Sequence, residues 1–253
     1  MPRVLLPLLA ALALFALGCQ ESGFNESKET EKPLKVQHAL GETKVPGQAS
    51  EPLTLTVDAL DDALALEVRP ARAAVPGAKL PAYLRDAGRG VSLMAPITAA
   101  DLAAVDAVDP DLILGSAEGQ GELYEDLSRI APTVMTDGGG GQWKLNLRLI
   151  GEALGRTNDA EQLLIDYDRE AAEAREAISG RPTVAVARMT ANGLRYAPRV
   201  SFAGTILADA GVKQVRGSGA DVTLRGDEQL WWGSGGALAA RAALDELRAT
   251  LAG

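Results

Sequence analysis

From Leu53 onward, short apolar runs alternate with helical segments, and one long helix interrupts that alternation; this pattern restricts the folds open to the chain more than any other feature. Residues 53–57 (LTLTV), 111–114 (DLIL), 133–136 (TVMT) and 183–188 (TVAVAR) read as strands. Between them lie helical stretches at 59–66, 101–108, 123–130, 143–154 and 202–210, with Asp58 placed to cap the first. Strands of four to six apolar residues bounded by helices are buried on both faces, which is the mark of a parallel α/β layer structure. In residues 158–179, Leu164, Tyr167, Ala171, Ala174 and Ile178 follow a 3-4-3-4 spacing, and Asp166, Glu170, Glu173 and Glu176 lie off that stripe. A helix of this length spans roughly 33 Å at about 1.5 Å per residue, the width of a small domain. The expected fold is therefore α/β, with two Rossmann-like lobes joined by one long helix: an N-terminal lobe at 36–157, a linking helix at 158–179 and a C-terminal lobe at 180–253.

The N-terminus reads as a targeting segment. Arg3 precedes an apolar run at 4–17, broken only by Pro7, that is too short for a comfortable bilayer span. It closes on F-A-L-G-C at 15–19, which resembles a bacterial lipobox, with Ala16 where Leu is commonest. Cys19, the only cysteine, is the expected lipidation site after removal of a signal peptide at 1–18, with a plain cleaved signal or an uncleaved anchor as the other readings. Residues 19–35, polar and mixed in charge, read as a tether. The working part is expected outside the cytoplasm, held to the membrane by lipid in the cell envelope or periplasm.

Composition excludes several functions. A net charge of −9 would be repelled by nucleic acid. One histidine, His38, and one cysteine leave no ligand set for a protein metal site and no positioned base for a Ser-His-Asp triad, so no catalytic residue and no cofactor are expected. The glycine run 138–141 lies between a strand and a helix, but no Gly-Lys-Ser/Thr follows, so it reads as a turn at a cleft edge more than as a phosphate loop.

Seven segments, in order, carry a family resemblance: HALGETKVP (38–46), LPAYL (80–84), DPDLILG (109–115), LSRIAPTV (127–134), WKLNLRLIGEALGR (143–156), SFAGTIL (201–207) and LWWGSGGALAAR (230–241). Together they resemble the iron-siderophore branch of the periplasmic iron/cobalamin-binding proteins. The resemblance implies two α/β lobes around a cleft that captures a ferric siderophore for an ABC permease, with iron present only inside that ligand. It implies a further stretch of second-lobe structure where this chain has only residues 212–229, so the second lobe is expected to be incomplete. It also implies a permease-docking Glu where Ala103 stands. Cobalamin or haem capture, or a non-transporting surface lipoprotein, are the alternatives.

An anionic chelate calls for guanidinium groups and aromatic faces. Arg188 ends its strand, where the family often has Arg, and Arg195 and Tyr196 return after the Asn192-Gly193 turn. Trp143 begins a helix, Ser201 and Phe202 begin another, and Trp231 and Trp232, read as extended, face opposite ways. These eight are the candidate ligand residues, each with a structural alternative: ion pair, core ring or helix cap. At least two of the three tryptophans are expected at the cleft.

Overall fold

The computed structural model describes residues 32–178, 180, 182–217, 219–225, 228–233 and 235–252. The signal peptide at 1–18, Cys19 and most of the expected tether lie outside them.

Among the described residues a hairpin of β1 (Leu34–His38) and β2 (Gly41–Val45) comes first, and its first two residues fall within the expected tether. The first lobe follows as five parallel strands: β3 (Pro52–Thr54), β4 (Arg72–Ala74), β5 (Ser92–Met94), β6 (Leu112–Ser116) and β7 (Thr133–Thr136). Their spatial order is β5-β4-β3-β6-β7, so the sheet is wound in two directions from the junction of β3 and β6. Every residue of β6 and β7 is buried, which explains their unbroken apolar text. Side chains alternate between the two faces: Leu112, Leu114 and Val134 join one hydrophobic cluster, Ile113 and Met135 another. The hairpin covers the β7 edge through Ala39 N–H to Met135 O (3.0 Å) and Thr43 Oγ1 to Thr133 O (2.9 Å).

The first-lobe helices are α1 (Val57–Ala65), α2 (Leu102–Asp106), α3 (Ala117–Gln120), α4 (Tyr124–Ile130) and α5 (Trp143–Ala153). Thr56, not Asp58, caps α1: its hydroxyl accepts from the Ala59 amide while Asp58 sits buried in the first turn. A hydroxyl in extended backbone two residues earlier reaches the free amides better than a side chain already inside the helix. Ala103 is exposed on α2. After α5, Gly155 adopts φ +69°, and a β-carbon there would lie 2.2 Å from the Gly47 carbonyl oxygen, so only glycine ends this helix without strain or collision.

The linking helix α6 (Thr157–Ala177) buries Ala160, Leu164, Tyr167, Ala171 and Ala174, the face that its apolar spacing predicts. The second lobe contains β8 (Thr183–Thr190), β9 (Gly193–Tyr196), α7 (Phe202–Asp209), β10 (Lys213–Gln214), β11 (Val222–Leu224), α8 (Glu228–Trp232) and α9 (Ala237–Leu251). β8 pairs in parallel with β10 on one side and β11 on the other, and β9 folds back antiparallel on its far end. Among the described residues, no helix stands between β10 and β11. One continuous cluster runs through both lobes, from Leu112 and Leu147 through Tyr167 to Val184, Ile206, Trp231 and Leu244.

The two central strand pairs begin alike. Asp111, just before β6, accepts from the amides of Ser50 (2.6 Å) and Glu51 (3.1 Å) ahead of β3. Asp221, just before β11, accepts from the Thr183 amide (2.7 Å) and hydroxyl (2.8 Å) at the start of β8. These bonds fix the carboxyls of Asp111 and Asp221 ahead of the central strands, and the two from Thr183 lower the Asp221 pKa.

Candidate ligand cleft

In a doubly wound sheet, the loops leaving the two central strands turn to opposite faces and leave a crevice at the carboxyl ends. A cleft of about 400 Å³ occupies that position here. Leu55 and Thr56 after β3, Pro76 after β4, Pro96 after β5, and Ser116 and Glu118 after β6 form its first-lobe wall. Gly138 and Gly139 after β7 close one side, and Gln229 and Gly233 of the α8 segment bring in the second lobe. The volume falls within the roughly 300–1,000 Å³ of small-molecule sites.

The polar groups of this wall are braced by local structure. Ser116 caps α3, its Oγ accepting from the Gly119 amide (3.1 Å), while Gln120 Oε1 accepts from the Ser116 amide (3.1 Å). Glu118 Oε2 accepts from the Gly139 amide (3.1 Å), so the glycine run is tied to the cleft edge. Two carboxylates, Asp58 and Glu118, and no basic side chain are among the lining residues.

The second lobe carries basic side chains on the β8–β9 hairpin. Arg188 stands directly opposite Arg195 in the β8–β9 register, with Tyr196 opposite Ala187. The Arg188 guanidinium stacks on Trp232, its carbon 4.4 Å from the ring centroid, and Trp232 precedes the cleft-lining Gly233. Arg188, Trp232 and Tyr196 are half-buried, and Arg195 is exposed. Arg188, Arg195 and Trp232 are therefore neighbours, while Tyr196 turns to the opposite face of the hairpin.

The other four are held differently. Trp143 is fully enclosed, edge-on to Tyr167 (4.7 Å between centroids) and to Phe202 (6.4 Å). Phe202 and Trp231 are each 1% exposed, and Trp231 Nε1 donates to Glu246 Oε2 (2.9 Å). Ser201 is the N-cap of α7: its Oγ accepts from the Gly204 amide (3.3 Å) and donates to the Pro198 carbonyl (2.6 Å). Trp231 and Trp232 lie on a helix and not on extended chain, so they diverge by about 100° and not 180°. The outcome is still one packed ring and one half-exposed ring. Lys144, next to Trp143, pairs with Asp168 (2.8 Å) and Asp209 (3.0 Å), while Tyr167 donates to Asp209 (3.0 Å), so this aromatic group is locked into the joint between α5, α6 and α7.

The glycine run 138–141 is the part of this wall that the sequence places at a cleft edge; the rest, such as Thr56 two residues after β3 and Ser116 at the end of β6, needs the strand order to show that those ends converge. Among the described residues, no group of three or more His, Cys, Asp or Glu side chains could hold a metal ion, and no helix is long and apolar enough to cross a membrane.

Two α/β lobes, a linking helix and a cleft at the strand ends define a two-lobed solute-binding protein. The Periplasmic binding protein family model matches residues 55–229, and the chain belongs to that family. It is 29% identical over 212 residues to the "Probable siderophore-binding lipoprotein YfiY" of Bacillus subtilis (strain 168), covering 82% of this chain and 65% of that protein. It is 31% identical over 167 residues to the "Achromobactin-binding periplasmic protein" of Dickeya dadantii (strain 3937), covering 63% of this chain and 54% of that one. The chain thus spans about two thirds or less of the length of these two relatives. The structure of Staphylococcus aureus SirA complexed with staphyloferrin B superposes with a TM-score of 0.74 at 23% identity, over 86% of this chain and 98% of SirA, which is a likeness of fold.

Proposed function

We propose that this chain captures a ferric siderophore in the interlobe cleft and hands it to an ABC importer. The observation that carries the reading is the cleft itself: it opens at the junction of β3 and β6 and is closed by the α8 segment of the other lobe, in a chain whose family relatives are named for siderophore binding. The Leu55–proline wall suits the apolar arms of such a ligand. Arg188 and Arg195, opposed on β8 and β9, suit its chelate oxygens, which a guanidinium grips in bidentate fashion. Trp232 offers a half-exposed face beside them. In this reading Trp143, Phe202 and Trp231 shape the cleft from behind, and Ser201 fixes the start of α7. Lipid on Cys19 holds the protein at the membrane, and docking to the permease proceeds without a glutamate at Ala103.

The test is titration of the chain lacking residues 1–19 with catecholate, hydroxamate and carboxylate ferric siderophores, followed by tryptophan fluorescence. Saturable one-to-one quenching by at least one class is expected. No saturable response to any of the three would refute the reading. Loss of metabolic palmitate labelling in Cys19→Ser is the expected result for the anchor.

A further inference from the structure

The first turn of α9 is held by two adjacent, fully buried carboxylates of α1. Asp62 Oδ1 accepts from the Ala237 amide (2.9 Å), Asp61 Oδ1 from Leu238 (2.7 Å) and Asp61 Oδ2 from Ala239 (3.0 Å). Both side chains have 0% exposure. The fit depends on Gly236: a β-carbon there would lie 2.5 Å from Asp62 Oδ1 and 2.7 Å from Asp61 Oδ1. The amides of Gly236, Leu238 and Ala239 thus serve Asp61 and that of Ala237 serves Asp62, while Asp62 Oδ2 is sealed from solvent with no hydrogen-bond donor among the described residues.

No positive charge offsets the pair. Neither aspartate has an ion-pair partner among the described residues. Asp58 on α1 adds negative charge, and Tyr83, on the neighbouring 3-10 turn (Ala82–Leu84), brings only a hydroxyl that burial keeps protonated. From α5, which also packs on α1, Lys144 turns to Asp168 and Asp209 and Arg148 to Glu161, while Glu152 is exposed. Arg72 on β4 makes no ion pair with either aspartate. The first turn of α9 offers amides and alanine or leucine side chains, and its Arg241 pairs with Glu170. Two unscreened carboxylates this close cannot both ionise cheaply in a dry site, so the pair retains a proton.

We propose that Asp61 and Asp62 form a proton-holding clasp that seats the start of α9, and with it the cleft-lining segment ending at Gly233, against the first lobe, so that this wall of the cleft loosens as the proton is lost. Burial pushes the Asp61 carboxyl up to about 7 against the opposing pull of the α9 amides, and burial and then the charge of Asp61 raise Asp62 further. Because the folded pair binds protons more tightly than the unfolded chain, its stability is full below about pH 4 and is lost as pH rises through about 7. Control of the cleft wall extends the proposed capture role; the clasp itself can be tested on ligand-free protein.

The experiment is hydrogen exchange of the Ala237, Leu238 and Ala239 amides in the full chain between pH 5 and 8.5, corrected for intrinsic exchange rates. Protection is expected to fall, from pH 5 upward, by about tenfold per pH unit for each proton released on opening. Asp62→Asn keeps the acceptor for Ala237 and removes the repulsion, so its profile should be flatter and its protection at pH 8 higher. A protonated-carboxyl infrared band at pH 6, bleached by pH 8.5, gives the same reading on unmutated protein should the variant not fold. Protection independent of pH, or a band absent at pH 6, overturns the clasp. A clasp seen in ligand-free protein alongside failed siderophore titrations would leave the clasp standing and remove the capture reading alone.

Discussion

Replacing Trp143 by Ala separates a core ring from a ligand-stacking ring. The indole is wholly enclosed and meets Tyr167 and Phe202 edge-on, at the joint of α5, α6 and α7. A tryptophan buries about 150–250 Å², which at about 25 cal/mol per Å² corresponds to about 4–6 kcal/mol as an upper bound. Truncations of buried Trp or Phe to Ala cost about 3–5 kcal/mol, because the surroundings close the cavity only in part. At about 2–4 °C per kcal/mol for a domain of this size, the Tm should fall by about 6–20 °C. Differential scanning calorimetry on the ligand-free protein, with fluorescence titration run in parallel, reads both quantities. A Tm within 2 °C of the parent, together with lost siderophore binding, would refute the argument and place the ring on the ligand.

Arg188→Ala should show the reverse: siderophore affinity falls by about 1.5–3 kcal/mol, or one to two decades, while the Tm moves little, as parallel titration and melting would show. Ala171→Pro, in the buried face of α6, should cost about 3 kcal/mol or more in chemical denaturation, since it removes a helix bond between the lobes. Gly155→Ala should destabilise by at least the roughly 1–2 kcal/mol of left-handed backbone, with the Gly47 carbonyl adding to it; urea unfolding reads the sum.

Much of the fold was legible because local pattern and tertiary burial agree. β7 has the bounds that TVMT predicts, α5 and α6 differ from expectation by one or two residues, and all five α6 stripe residues are buried. The short strands β4 and β5, three residues each, carry too little periodicity to be read from the chain alone. The site was legible only in part. Arg188 is expected at a strand end, but β8 runs on to Thr190 and holds Arg188 inside the strand, opposite Arg195. Whether Trp143 or Trp232 turns outward depends on which neighbour reaches it first, and Tyr167 and Phe202 enclose the former from elements far along the chain. Of the α1 aspartates only Asp58 carries a local reading, as a cap; Asp61 and Asp62 meet the start of α9, some 175 residues away, and give no local signal.

The matching aspartate ties at Asp111 and Asp221 mark corresponding positions in the two lobes. In each, a strand, a helix and a parallel neighbour are followed by an aspartate that returns to the first strand: β3, α1, β4 and Asp111 in one, β8, α7, β10 and Asp221 in the other. On that equivalence β8 and β11 correspond to β3 and β6, and Arg188 occupies the place in its half that Leu55 and Thr56 hold in theirs. A lineage that lost outer strands from the second lobe would keep the one crevice that matters, because the crevice belongs to the innermost pair. The same logic marks the loop at 215–221 as the position where added structure would enlarge the protein without moving either wall of its cleft.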